Sequence, residues 1–235
     1  MDKKDLIPEI TLPKSMVTLF DQMKEPYCIK NVESRFVYAN QAMVNLFRVD
    51  NISDLIGNTD KEIKSKLVED EEVAGEFVRQ DSLVVSSEQS LNLLDIHPHA
   101  VDYPFITNKI PFRDINNECI GVLVYVKKLE VYSLNDYVKG NVPGSLLLNK
   151  PDDFFTERQC EIMFYRLQGL KVKEVAKRLN LTENTINNYM QTLYDMANVN
   201  NLTEFKEFCE IREYHRYLPK RFLSNQHIDF GSSII

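Results

Sequence analysis

Several features are missing from this 235-residue chain, and each absence narrows what it can do. No apolar run approaches the roughly 18 residues a membrane helix needs, and the opening Met-Asp-Lys-Lys-Asp leads into no signal-peptide core. The chain is therefore expected to stay in the cytosol, with no membrane partner. No C-x-x-C occurs among Cys28, Cys119, Cys160 and Cys209, so neither a zinc knuckle nor a disulfide framework is suggested; free, mostly buried thiols are expected. There is no Gly-rich phosphate loop, no nucleophile elbow and no histidine-rich metal spacing. The four histidines, at 97, 99, 215 and 227, offer no evident triad. No catalytic residue, metal ligand or cofactor is assigned, and an enzyme is not expected. Internal repeats and low-complexity stretches are also lacking.

What is present is a globular composition, 43% hydrophobic and 27% charged, long enough for one large domain or two small ones. The net charge of -7 is uneven: residues 1–130 carry 15 Lys/Arg against 22 Asp/Glu, whereas residues 151–235 carry 11 against 12. An acidic first half repels phosphate, so any nucleic-acid contact must come from the second. Between the halves, Gly140, Pro143, Gly144 and Pro151 break the periodicity. The division expected is a first domain over 1–130, a linker over 131–153, a helical domain over 154–222 and a loosely ordered polar tail over 223–235.

In the first domain, Tyr27-Cys28-Ile29 and Phe36-Val37-Tyr38 read as a hairpin across "KNVESR". Asn40 can cap a helix over "QAMVNLF", residues 61–89 look helical, and strands are expected over 90–96, 103–113 and 119–129, the last two joined by the polar loop 114–118. This order closes as an antiparallel five-stranded sheet with helices on one face, an α+β architecture. With "FVYANQAMVNLF", "LIGNTDKEI" and "KIPFRDINNECIGVLVYV" in that order, roughly residues 15–130 resemble the PAS family. The resemblance implies a sensing or dimerising module whose cavity lies between helices and sheet, with room for an unidentified small-molecule ligand. The reactive-cysteine motif of flavin photosensors of this fold has no counterpart here, and the helical stretch lacks the histidine that haem-binding members present. His97 and His99 are the strongest candidates for a metal or haem ligand, but that role would need further ligands converging there, and exposed loop residues are expected instead. Tyr27, Phe36, Phe47, Phe77, Phe105 and Phe112 are core candidates that could also line a pocket.

The second half is all-helical in pattern. Thr156 with Gln159 forms a capping box before Cys160, Met163, Phe164 and Leu167; a short helix over 172–179 turns Val172, Val175, Ala176 and Leu179 inward. Thr182 can cap a third helix that buries Ile186, Met190 and Leu193 and exposes Asn184, Asn187, Asn188 and Gln191. Two helices joined by a tight turn, the second with a polar outer face, make a helix-turn-helix. Thr156, Arg158, Glu161, Gly169, Lys173-Glu174-Val175-Ala176, Leu179, Leu181, Thr182, Thr185 and Ile186 fall at the spacing of the LuxR-type pattern, which residues 154–210 resemble.

That resemblance implies a bacterial transcription regulator that binds double-stranded DNA as a homodimer on an inverted repeat. Carried over by position, base-facing roles fall on Asn187, Asn188 and Gln191, beside Asn184. Asn and Gln can bond the N6/N7 edge of adenine in the major groove. Phosphate contacts are expected from Lys171, Lys173, Lys177, Arg178, Thr182 and Thr185, and helix pairing from Phe205, Phe208 and Cys209, for which core packing is the competing explanation. The chain departs from the family in having no cation on its reading helix: residues 155–205 hold six basic and six acidic residues, so electrostatic attraction is weak. The alternative is a protein-interaction regulator whose helix-turn-helix has lost DNA affinity.

Overall fold

The computed structural model describes residues 10–130, 138 and 144–229. These group into two units, one of residues 10–101, 105–129 and 225–229, the other of residues 102–104, 130 and 144–224. Among the described residues no helix is long and apolar enough to cross a membrane.

The first unit runs α1 (Lys14–Asp21), β1 (Tyr27–Asn31), β2 (Phe36–Ala39), α2 (Gln41–Phe47), α3 (Glu71–Ser87), β3 (Leu91–Ile96), β4 (Phe105–Arg113) and β5 (Cys119–Lys128). Its five expected strands form, and a sixth, β6 (Gln226–Asp229), joins them in the antiparallel order β2-β1-β5-β4-β3-β6. That strand corrects the expectation of a loose tail for the part of residues 223–235 that is described. Alternation is too short over "QHID" to announce a strand, and the free edge of β3 supplies the pairing.

The hairpin loop between β4 and β5 is closed by Asp114, whose Oδ1 accepts from the backbone N–H of Asn116 and Glu118 at 2.9 Å each. The same sheet is apolar on both faces. Its inner face, with Val122, Val124 and Val126, packs under α2 and α3, while Ile29, Leu123 and Ile120 on the outer face pack with Met16, Val17 and Phe20 of α1. Gly121 permits the close approach of β1 to β5, because a Cβ there would lie 2.1 Å from the Lys30 carbonyl oxygen.

Helicity expected from residue 61 begins only at 71. The Ser65 hydroxyl donates to the Phe47 carbonyl and accepts from Leu67 N–H at 3.1 Å, side-chain bonds that compete with a helical backbone. Asp70 then caps α3 by accepting from Glu72 N–H at 2.9 Å, with Glu71 and Glu72 favourably placed against the helix dipole.

In the second unit, α4 (Glu157–Leu167), α5 (Val172–Leu179), α6 (Glu183–Ala197) and α7 (Leu202–Ile211) surround Phe155, Ile162, Met163, Val175, Ile186 and Leu193. Thr156 and Gln159 complete the expected capping box, at 2.8 and 3.3 Å. Gly169 at φ +86° and Asn180 at φ 53° take the left-handed conformations that end α4 and α5. Much of the expected linker lies outside the described residues. Its described end packs into this unit: Leu148 is fully buried, and Asp152 accepts from Tyr214 Oη at 2.5 Å.

One side chain joins three segments of the first unit. Buried Asn40 accepts from Tyr27 and Met43 N–H, each at 3.0 Å, and donates to the carbonyls of Phe20 at 3.1 Å and Glu25 at 2.9 Å. Asn40→Ala removes a helix cap and leaves buried backbone groups unpaired, so it should destabilise by about 2–4 kcal/mol, read as a lower urea midpoint with an unchanged slope.

Candidate nucleic-acid interface and sensor cavity

Period 3.6 along α6 buries Ile186, Met190, Leu193 and Ala197 and leaves Asn184, Asn187, Asn188 and Gln191 exposed on one side, as expected. The helix is capped by Thr182, which accepts from Thr185 N–H at 3.1 Å; the two hydroxyls also bond each other at 2.8 Å. Gln191 is oriented by donating to Asp195 at 2.8 Å. Lys171, Lys173, Lys177 and Arg178 are exposed on or just before α5, and the Arg178 guanidinium lies 5.5 Å from the centre of the Tyr165 ring. The structure thus brings the expected base-facing amides together on one helix and the expected cations onto its neighbour.

The residues expected to pair two copies are placed differently. Phe205 and Cys209 have no exposed surface and belong to the core of the second unit, and Phe208 is half-buried against it. The helical spacing of Phe205 and Cys209 records packing inside the unit, since a side chain without exposed surface meets no partner. On α7, Ile211 is the exposed apolar side chain, at 84%.

In the first unit, a cavity of about 30 Å³, roughly the share of one water in the liquid, lies between α2, α3 and the sheet. Phe36, Phe47, Phe77 and Phe105 line it; Tyr27 and Phe112, the other two aromatic candidates, are not among its lining residues. Phe112 packs on the outer face, and Tyr27 stacks between Phe20 and Tyr125. Cys28 also lines the cavity, and burial pushes its thiol up to about 12, which leaves it a protonated, unreactive group. All four cysteines are free; Cys28, Cys160 and Cys209 are buried and Cys119 is half-buried.

The polar wall of this cavity is a buried charge cluster that sequence reasoning missed. Lys30 of β1 bonds Asp60 at 2.6 Å and Asp81 of α3 at 3.0 Å; Lys109 of β4 bonds the other Asp81 oxygen at 2.6 Å and the Phe77 carbonyl at 2.9 Å. Ser34 donates to Asp81 as well. Two ammonium groups thus balance two carboxylates, all four side chains being almost wholly buried. Burial pushes the Asp81 carboxyl up, but Lys109 and Lys30 outweigh it and hold the group below its usual range. At Asp60 burial prevails over Lys30 and the carboxyl is raised, consistent with an Oδ1 that has no hydrogen-bond partner. Period 2 offered a signal: Lys109 follows Phe105 and Thr107 on the inward face of β4, and Lys30 follows Cys28 on that of β1.

His97 was expected in the open and is instead buried, two residues beyond Asp95; His99 is exposed as expected. The reason is the strand alternation, which carries the inward face of β3 past its end.

Comparisons with known proteins match two separate stretches of the chain. Residues 20–130 match the PAS fold, and residues 153–207 match the bacterial regulatory proteins of the luxR family. Solved structures of similar fold include the Vibrio cholera VqmA–ligand–DNA complex, at 24% identity and TM-score 0.67, covering 94% of this chain and 98% of that one. They also include the phage VqmA–DPO complex, at 22% identity and TM-score 0.60, covering 93% and 95% respectively. No curated protein is significantly similar to the chain in sequence.

The charge cluster yields two expectations. Lys109→Met leaves Asp81 with a single ammonium partner in a buried site and should cost about 3–5 kcal/mol in urea unfolding. Because Asp81 is depressed in the folded chain, its stabilisation is complete above its unfolded value of about 4 and fades as pH falls below that. Asp60, being raised, has the opposite sign and weakens stability as pH rises above about 4. Asp81→Asn should therefore flatten the acid limb of a stability-versus-pH curve relative to wild type.

Proposed function

From a chain that joins a PAS-fold domain to a helix-turn-helix domain of the luxR family of bacterial regulatory proteins, we infer a ligand-responsive transcription regulator that reads double-stranded DNA. The observation that carries this reading is the row of exposed amides on α6, positioned by a capped turn that follows a cation-bearing α5. Asn187, Asn188 and Gln191, with Asn184, meet base edges in the major groove, with a preference for adenine. Lys171, Lys173, Lys177 and Arg178 contact phosphate, together with the Thr182 and Thr185 hydroxyls. Two copies bind an inverted repeat whose half-sites lie about one helical turn apart. Support comes from VqmA of Vibrio cholera, whose complex holds both ligand and DNA and whose fold spans nearly the whole of this chain.

The ligand site is the cavity beneath α3. Its lining asks for a compact molecule with an apolar body and both acceptor and donor groups: acceptors to meet the Lys30 and Lys109 ammoniums, and a donor for the unpaired Asp60 oxygen. At about 30 Å³ the cavity must widen to admit it, with flexible Met43 as the most adaptable part of the wall. The chain acts by binding rather than by catalysis, and its place is the cytosol, where its DNA is.

Selection from randomised oligonucleotides with the full chain should recover an inverted repeat with adenine-containing half-sites. Asn187→Ala, Asn188→Ala and Gln191→Ala should each lower affinity for it by about 1–3 kcal/mol and relax the preference at one position. Unchanged preference in all three variants would reject reading by this face. With four cations per copy the salt slope should be shallow, about -4 per copy at most, and Lys173→Ala should reduce it by about 1. Failure of the purified chain to prefer any oligonucleotide over random competitor would leave the protein-interaction alternative.

A further inference from the structure

At the β3 edge of the sheet, the topology brings together three side chains that the regulator reading does not use. Asp95 and His97 are two residues apart on the inward face, and the β3–β6 register sets His227 directly opposite Asp95. His227 Nδ1 lies 2.5 Å from Asp95 Oδ1, His97 Nε2 lies 3.8 Å from the same oxygen, and one ligating atom of each residue lies within 4.8 Å of the others. We propose that Asp95, His97 and His227 form a binding site for a divalent transition-metal ion of the zinc class, closed only when the C-terminal strand docks.

A hydrogen-bonded cluster without an ion explains only part of this arrangement. His227 and Asp95 satisfy each other, and Thr107 donates to the remaining Asp95 oxygen. His97, only 2% exposed, keeps its Nε2 aimed at the cluster with no hydrogen-bond partner, a condition that is costly in a protein interior. An ion held by all three groups removes that cost. Ligand atoms about 2.0–2.2 Å from a tetrahedral ion stand roughly 3.3–3.6 Å apart. The observed 2.5 and 3.8 Å bracket that spacing, so side-chain shifts of about an ångström or less bring either pair to it.

The donor set also selects the ion. Two imidazoles and one carboxylate suit zinc, cobalt or nickel rather than magnesium or calcium, which favour oxygen alone. One ionised carboxylate with two neutral imidazoles sums to a single negative charge, which a divalent ion overcompensates by only one. Thr107 fixes the orientation of the carboxylate from outside the ligand set, and Phe77 stands edge-on to both imidazoles, at 5.8 and 5.5 Å between ring centres. An open cavity of about 260 Å³ touches His97 and is lined by Glu69 and Asp70 against the single cation Lys66, an acidic surface that favours cations next to the site. Because His227 sits on β6, occupancy of the site and docking of that strand are one equilibrium.

The test uses the full chain, stripped with a chelator and dialysed. Zn²⁺ followed by calorimetry should bind at one ion per chain, and Co²⁺ should give the intense visible absorption of a four- or five-coordinate nitrogen–oxygen site. His227→Ala should weaken both by at least roughly a hundredfold, more than the loss of an outer-shell partner brings, while His99→Ala should leave them unchanged. Zn²⁺ should also raise the melting temperature in proportion to the logarithm of its concentration and slow amide exchange in residues 226–229 of the wild type alone. Absence of stoichiometric binding by the wild type overturns the proposal, as does binding that persists in His227→Ala. Should that variant misfold, a wild-type Co²⁺ spectrum typical of six oxygen ligands is equally decisive against it. DNA selectivity enters none of these readouts, so the proposal and the regulator reading stand or fall separately.

Discussion

Four buried charges hold the first unit in register. Lys30 from β1, Lys109 from β4, Asp81 from α3 and Asp60 from the connecting segment lie beneath the helix, where no single member could be tolerated alone. Apolar packing around them is permissive, since residues of similar volume can often be exchanged, whereas two ammoniums and two carboxylates neutralise one another in only one arrangement of strand, helix and loop. The cluster therefore fixes where α3 sits over the sheet. It also sets the polarity of the space that α3 and α2 enclose, so the frame of the domain and the chemistry of its cavity rest on the same side chains.

The second unit relies on a different balance. Its core is a set of aromatic and aliphatic residues repeated at helical spacing, and its outer face on α6 carries no cation, its exposed charges being the carboxylates of Glu183 and Asp195. An amide surface without cations brings little long-range attraction to a phosphate backbone, so in the proposed function discrimination depends on short-range hydrogen bonds made after close approach. Gln191, already turned by Asp195, shows how such a surface can be arranged in advance by its own neighbours.

Elements governed by local rules were legible in the sequence. The capping pairs Thr156–Gln159 and Thr182–Thr185, the Asn40 cap and the polar loop at Asp114 all specify themselves within five residues, and each forms where the pattern puts it. Errors arose where distant residues decide. Residues 61–70 have helical composition, but Ser65 bonds the Phe47 carbonyl 18 residues back. "QHID" has no visible strand periodicity and pairs because β3 offers an edge. Phe205 and Cys209 show the apolar spacing of either a core or an interface, and only three-dimensional packing separates the two. The charge cluster lay in plain view as lysines at inward strand positions, but assigning partners to them requires the helix crossing that no local window contains.

The order of the strands has a consequence for biosynthesis. β6 is made after both the sheet it completes and the whole helical unit that precedes it, so the first domain cannot reach its final form until that unit has been synthesised. Until residues 226–229 emerge, the outer hydrogen-bonding groups of β3 lack their partner and the imidazole of His97 has no companion from β6. Premature termination anywhere past the helix-turn-helix would release a chain with an unsealed sheet margin, a ready template for pairing with another nascent copy.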